Sequence, residues 1–268
     1  MKQKKKTGAD KKVPISSKEK SNSIKNNSAS NLKRYQAEFI NSVSHQLRTP
    51  LSTLQSSFDL FEYYLDHENN ARRDELLLRM KRTIKYLNEI MENVTMLYKY
   101  SIPRQKLAYR KIDLHRHLND LLQEIAVNMS DLHYLTININ PGSEYIICDE
   151  FVLNQILGNL ISNAVKFSPF GGQIRLDINK KEKTIEISLK DEGIGILKSD
   201  MKKIFSPFMR GKNSASIPGV GMGLAIVKKM VELLDGKISC KSSQDKGSEF
   251  IIRLPQKVSD EKDIINRR

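Results

Sequence analysis

At 268 residues, with 39% hydrophobic and 28% charged residues, the chain is long enough for one or two domains with real cores. No stretch approaches eighteen uninterrupted apolar residues, so no membrane-spanning helix is expected, and the lysines that open the chain lead into no apolar leader segment. Two cysteines, Cys148 and Cys240, each inside an apolar stretch, read as buried free thiols rather than a disulfide or metal framework, which makes the cytoplasm the expected compartment.

The net charge of +14 is concentrated at one end. Residues 1–34 hold eleven Lys and Arg against Asp10 and Glu19, a net +9, in a Ser- and Asn-rich setting with few large apolar residues. Residues 1–31 therefore read as a basic disordered tail. Such a tail could contact an anionic lipid or nucleic-acid surface, but a solvated leader or linker is the preferred reading, and no specific nucleic-acid partner is expected.

From Leu32 the pattern changes. Ile40, Val43, Leu47, Leu51, Leu54, Phe58, Phe61 and Leu65 step by three and four along one long helix. After a polar break at residues 66–72, a second seam runs through Leu77, Met80, Ile84, Leu87, Met91, Val94 and Tyr98. Two such helices with one apolar stripe each close no core alone; pairing two hairpins into a four-helix bundle would, so residues 32–104 predict a homodimer. His45 lies between the seam positions Val43 and Leu47 and should face outward. Pro50 removes a backbone donor one turn later and should kink the helix there. His115 and His117 share no helix face, and His67 and His133 read as loop or surface residues.

Residues 105–257 mix strands and helices. Alternating segments at Tyr134–Ile139, Gln173–Ile178, Thr184–Lys190, Lys237–Ser242 and Glu249–Leu254 are interleaved with helical ones near Leu114–Met129, Phe151–Lys166 and Met222–Leu234. Several strands follow one another directly, which predicts an α+β sandwich with helices on one face. Residues 258–268 form a C-terminal tail.

Within this region the helix Phe151–Lys166 turns Leu153, Ile156, Leu157, Leu160, Ile161 and Ala164 toward the sheet. Asn159, Asn163 and Lys166 fall within about a 60° arc on another side. Two amide oxygens and an ammonium along one strip suit a triphosphate with Mg²⁺, a cation that takes oxygen ligands and keeps water. Asp191 continues the inward alternation of Ile185, Ile187 and Leu189. A carboxylate there is costly without a dedicated donor, which the exocyclic amine of adenine would supply; a turn cap without ligand is the other reading. Gly193 and Gly195 let the chain turn tightly. Gly219, Gly221 and Gly223 lack both the spacing and the leading strand of a dinucleotide fingerprint, but they open the helix Met222–Leu234, whose free amides can hold phosphate, as can those of the adjoining Leu224. The polar stretch Gly211–Pro218 before them reads as a lid.

Four motifs in this order, HQLRTPL at His45–Leu51, NLISNAVKF at Asn159–Phe167, DEGIG at Asp191–Gly195 and GVGMG at Gly219–Gly223, resemble the catalytic half of a two-component sensor histidine kinase. The resemblance covers roughly Leu32 to Pro255. It implies a dimeric phospho-acceptor hairpin followed by the ATP-binding fold shared with gyrase-type ATPases and the heat-shock chaperone of that class. It implies further an ATP-dependent protein-histidine kinase that phosphorylates His45 and passes the phosphoryl group to a response-regulator receiver domain. By the same resemblance Asn163 is the Mg²⁺ ligand with Asn159 beside it, Lys166 meets phosphate, and Phe167 borders the base or ribose. Phe205 and Phe208 match the family's aromatic box, and Arg210 reaches phosphate or docks the histidine helix.

One position departs from the family. The residue after the histidine is usually Glu or Asp, thought to take the imidazole proton; here it is Gln46, an amide with no useful basicity. Thr49, one turn on, matches the residue that positions water for dephosphorylating the regulator. Gln46 beside an intact Thr49 leaves two other readings open: a regulator phosphatase with weak kinase activity, or a non-catalytic module that sequesters a regulator. Ser248, where Thr is commoner, is a mild change.

Overall fold

The computed structural model describes residues 17–65, 69–101, 106–126, 132–214 and 217–256. His67, Arg104, the last residues of the helix expected up to Met129 and the C-terminal tail lie outside them. By its contacts the chain divides into two compact units, Met1–His45 and Gln46–Arg268.

The described residues of the first unit form the N-terminal part of α1, a helix that spans Ser17–Leu65. The helix starts well before Leu32, so Ser17–Ser30, expected within a disordered tail, are helical. No Gly or Pro interrupts residues 17–49, and helix propagation costs little where no breaker stands in its way. His45, the last residue of this unit, is exposed, as its place between seam positions requires.

In the second unit α1 continues through Pro50 as an unbroken helical run to Leu65. The return helix α2, Asn70–Lys99, begins inside the expected polar break, where Asn69 Oδ1 accepts from the Arg72 amide at 3.1 Å and satisfies one of the free donors of the first turn. Along α2 the buried positions are Leu76, Ile90 and Leu97, each one residue before an expected seam position. Leu77, Met91 and Tyr98 themselves stay 39%, 53% and 66% exposed. Two neighbouring heptad positions are thus both apolar on α2, and only one is covered within the chain. Tyr100 at its C-cap stacks on Phe151 with ring centroids 5.7 Å apart, and α2 packs against the later helix α5 (Gly223–Leu233). These contacts join the hairpin to the C-terminal half of the chain and explain why the second unit is single.

The remaining chain forms a mixed five-stranded sheet. Its strands are β2 (His133–Ile139), β4 (Gly172–Lys181), β5 (Thr184–Asp191), β6 (Lys237–Ser242) and β7 (Ser248–Pro255), in the order β2-β4-β5-β7-β6. All five appear where alternation places them. The β2–β4 pair is parallel and the others antiparallel. Two short strands, β1 (Tyr109–Asp113) and β3 (Tyr145–Asp149), pair separately and were not legible as strands: each is five residues long. Helices α3 (Leu114–Ala126), α4 (Glu150–Lys166) and α5 complete the domain.

Helix α4 is the central element. Leu153, Ile156, Leu157, Leu160, Ile161 and Ala164 are all buried, together with Val152 and Val165, each full burial of a large aliphatic side chain contributing about 1.5–3 kcal/mol. Asp149 starts the helix with Oδ1 on the Val152 amide at 3.1 Å, while its Oδ2 accepts from Ala108 at 2.8 Å. Both cysteines are free, and burial pushes the Cys148 and Cys240 thiols up to about 12, so both remain protonated at neutral pH. Among the described residues no helix is long and apolar enough to cross a membrane.

Candidate functional site

A cavity of about 240 Å³ opens between the C-terminal part of α4, the Asp191 end of β5, the segment Ile204–Gly223 and one face of α2. Asn159, Asn163 and Lys166, the polar strip read from helical angles, line it together, as do Phe167 at the C-cap, Asp191, Gly195, Arg210, Gly219, Gly221, Gly223 and Leu224. Gly193 and Phe208 are not among its lining residues. The backbone of Phe208 takes φ 62°, an uncommon conformation for an aromatic residue, and Met209 and Ile204 supply apolar lining nearby.

The alternation of β5 is what delivers Asp191. Ile185, Ile187 and Leu189 are fully buried, and the same parity puts Asp191 inward at 4% exposure, between Ile174 of β4 and Ser248 of β7. Its Oδ1 accepts two main-chain hydrogen bonds, from Gly193 at 2.9 Å and Ser248 at 3.1 Å. The chain therefore supplies donors of its own, so the turn-cap reading holds for this oxygen, while the residue also faces the cavity. Burial raises the Asp191 pKa, and the two amide bonds oppose that rise.

The glycines of DEGIG serve packing. A Cβ on Gly193 would collide with the Phe167 carbonyl, and one on Gly195, at φ 62°, with the Ser243 carbonyl. The first approach brings the end of β5 onto the end of α4, where Ile194 donates to Phe167 O at 2.9 Å, and the second seats the turn on the segment after β6. Gly195 lines the cavity; Gly193 acts behind it.

Opposite Asp191 the second glycine motif meets the strip on α4. A Cβ on Gly223 would stand 3.0 Å from Asn159 Oδ1 and 3.3 Å from Asn163 Nδ2, and one on Gly219 would collide with Lys166 Nζ. Met222 caps α5 with no side-chain hydrogen bond, so no capping side chain takes the first amides of that helix, and Met222, Gly223 and Leu224 line the cavity. Asn159 Nδ2 donates to Gln155 O at 2.8 Å, which fixes the amide and leaves its oxygen toward α5. Burial lowers the Lys166 pKa, helped by the Arg210 guanidinium and opposed by the Glu89 carboxylate. Arg210 Nη2 donates to Ser214 O at 3.2 Å and Ile217 O at 2.7 Å, which ties it to the expected lid; Lys212–Ser214 of that segment form a short 3-10 turn.

The donor set fits a triphosphate with Mg²⁺: amide oxygens, free helix amides, an ammonium and a guanidinium surround one cavity. Among the described residues no cluster of three or more His, Cys, Asp or Glu could hold a metal. Sequence reasoning missed Glu89 and Asn93 of α2, Asn213, Val220 and Phe250. The parity of β7 could have given Phe250, which pairs with Leu189, but nothing local announces that α2 reaches this cavity.

A second, more open groove lies between the helices of the hairpin, lined by Gln46, Thr49, Pro50 and Thr53 of α1, by Glu75, Arg79, Arg82 and Tyr86 of α2, and by Arg210. Gln46 and Thr49 both line this groove, and Arg210 borders both the groove and the cavity. His133 is not a loop residue: it starts β2, and its Nε2 lies 2.9 Å from Ser168 O. His117 is buried on α3 with Nδ1 3.5 Å from Glu150 Oε1.

Residues 35–100 match the family described as His Kinase A (phospho-acceptor) domain, and residues 148–258 match the histidine kinase-, DNA gyrase B- and HSP90-like ATPase family. The sensor histidine kinase WalK of Bacillus subtilis is 32% identical over 84% of this chain, which covers 38% of WalK. The chain thus spans well under half the length of that relative. Among solved structures, the Acinetobacter baumannii histidine kinase AdeS superposes with a TM-score of 0.64 over 79% of this chain and 98% of its own, at 22% identity. A histidine kinase, ThkA, in complex with response regulator protein TrrA gives 0.66 over 82% of this chain and 61% of its own, at 19% identity. With a phospho-acceptor hairpin and a kinase-type ATPase domain in this order, the chain belongs to the two-component histidine kinases and holds their catalytic core.

Proposed function

We propose that the chain is an ATP-dependent protein-histidine kinase that phosphorylates His45 and passes the phosphoryl group to the receiver domain of a response regulator. The observation that carries the reading is the convergence of Asn159, Asn163, Lys166, Asp191 and the residues that open α5 on one cavity, in a chain whose hairpin presents an exposed histidine.

In this reading Asp191 recognises the adenine amine, Phe167 borders the base, and the α5 amides with Lys166 hold the phosphates. Asn163 would hold Mg²⁺, which when bound neutralises charge on the phosphate oxygens. Catalysis is then mainly positioning and charge stabilisation. Neutral imidazole keeps one free lone pair for attack on phosphorus, and Gln46 orients the ring without taking its second proton. Thr49 positions water for hydrolysis of the regulator's acyl phosphate.

The exposed stripe Leu51, Phe58 and Leu65 on α1, with Leu77, Ile84, Met91 and Tyr98 on α2, repeats every seven residues and fits burial against a second copy. The complex of ThkA with TrrA supports a response regulator as partner of this chain.

Incubation with ATP labelled on the γ-phosphate tests the reading. Label that is lost in acid and kept in base, and that moves to a receiver-domain aspartate, is the expected result. Dephosphorylation of a regulator by unlabelled protein would make the chain a phosphatase instead.

A further inference from the structure

Two side chains that line the nucleotide cavity come from the hairpin. Glu89 and Asn93 stand one helical turn apart on α2 and share the cavity with Asn159, Asn163, Lys166 and Gly219. They are carried there because α2 packs against α5, the helix whose first residues line the same space. A cavity suited to a polyanion thus contains, beside Lys166 and Arg210, a carboxylate. Glu89 is solvent-exposed and acts on the Lys166 ammonium from the α2 side, favouring its charged form.

We propose that Glu89 is an electrostatic gate on the nucleotide cavity: it lines, together with Lys166, the space where the triphosphate would sit, and its negative charge weakens the binding of charged nucleotides for as long as α2 lies against α5. The proposal rests on the nucleotide reading above and adds the residue through which the hairpin sets nucleotide affinity. Glu89 has no attraction for the phosphate oxygens themselves, since like charges repel. It serves instead as an intramolecular counter-ion for Lys166. The binding of phosphate then competes with the contact between α2 and the cavity. By linkage, an arrangement of the hairpin that withdraws Glu89 raises nucleotide affinity by the same factor by which nucleotide favours that withdrawal. Asn93, which is neutral, contributes lining without this charge dependence.

The test uses the full chain and three probes of decreasing charge: MgATP, MgADP and adenosine. Glu89→Gln should tighten MgATP by about tenfold, one unit charge at surface dielectric being worth that order, should tighten MgADP less, and should leave adenosine unchanged. The gain should shrink at about 1 M salt, where charges are screened beyond about 3 Å. Glu89→Asp, which keeps the charge, should bind all three like the wild type. MgATP affinity that is unchanged or weaker in Glu89→Gln would overturn the gate and make Glu89 a supporting ligand. An equal gain for adenosine would also overturn it, since the effect would then be steric opening. Wild-type protein that binds none of the three would overturn the nucleotide reading itself, and the gate with it.

Discussion

The hairpin and the sheet domain treat their apolar residues in opposite ways. In the sheet domain Ile174, Leu176, Ile178, Ile185, Ile187 and Leu189 are fully buried against helices of the same chain. Along the hairpin Leu51, Phe58, Ile84 and Met91 keep about half their surface exposed. The same division runs through the chemistry. The sheet domain gathers its polar residues around a cavity, with backbone and side chains fixed against each other, whereas the hairpin carries the exposed imidazole of His45 on a helix surface. In the proposed reading, one region holds a ligand and the other presents a group to partners.

Four expectations press on that contrast, in falling order of effect. If the cavity holds the nucleotide through its metal, Asn163→Ala should cut autophosphorylation by about 10²-fold or more, the scale seen when one electrostatic contact to a reacting phosphate is lost. ATP binding should then no longer respond to magnesium. Undiminished turnover would move the metal, with Asn159 the first place to look.

The hairpin's own chemistry is probed at Gln46. If the missing carboxylate limits proton removal, Gln46→Glu should raise turnover, within or below the roughly 10²–10⁴-fold range of a positioned base, without changing ATP affinity. A flat or lower rate would make Gln46 only an orienting residue.

The exposed stripe supplies the third expectation. Phe58→Glu with Met91→Glu should weaken self-association by about 100-fold, since each large apolar side chain buried in a bundle contributes about 1.5–3 kcal/mol. Sedimentation would read the change, and nucleotide binding should persist. A monomeric wild type would remove the bundle from the account.

The smallest effect concerns Asp191. Its folded pKa is raised by burial, so the ionised form costs stability at neutral pH, and that cost disappears as pH falls and the group takes up its proton. Asp191→Asn keeps an oxygen for the Gly193 and Ser248 amides and removes the charge. The variant should keep its Tm or gain a few degrees at pH 7 while losing preference for adenine over guanine nucleotides. A sharp fall in Tm would make the residue a structural cap alone.

Legibility in the sequence tracks the range of the interactions concerned. The five main strands and the inward parity of Asp191 depend on local alternation, and α4's buried stripe and polar strip depend on one helix's own geometry, so both could be read directly. Four things could not. The strands β1 and β3 are too short for periodicity to register. The buried seam of α2 sits one residue before the expected one, because neighbouring heptad positions are both apolar and only packing selects between them. Gly193 reads locally as a turn around a base, yet its constraint is the Phe167 carbonyl, twenty-six residues away in sequence. Glu89 and Asn93 entered the cavity for the same kind of reason: α2 meets α5 across more than a hundred residues, and neither segment records the meeting.

A ligand-holding domain that serves one presented histidine is the core of this account, and His45→Ala tests it most directly. Nucleotide affinity and incorporated phosphate would be measured on the same preparations of wild type and variant. The expected result is unchanged MgATP binding with complete loss of acid-labile label in the variant. Label retained at the wild-type level would contradict it and place the acceptor on another residue.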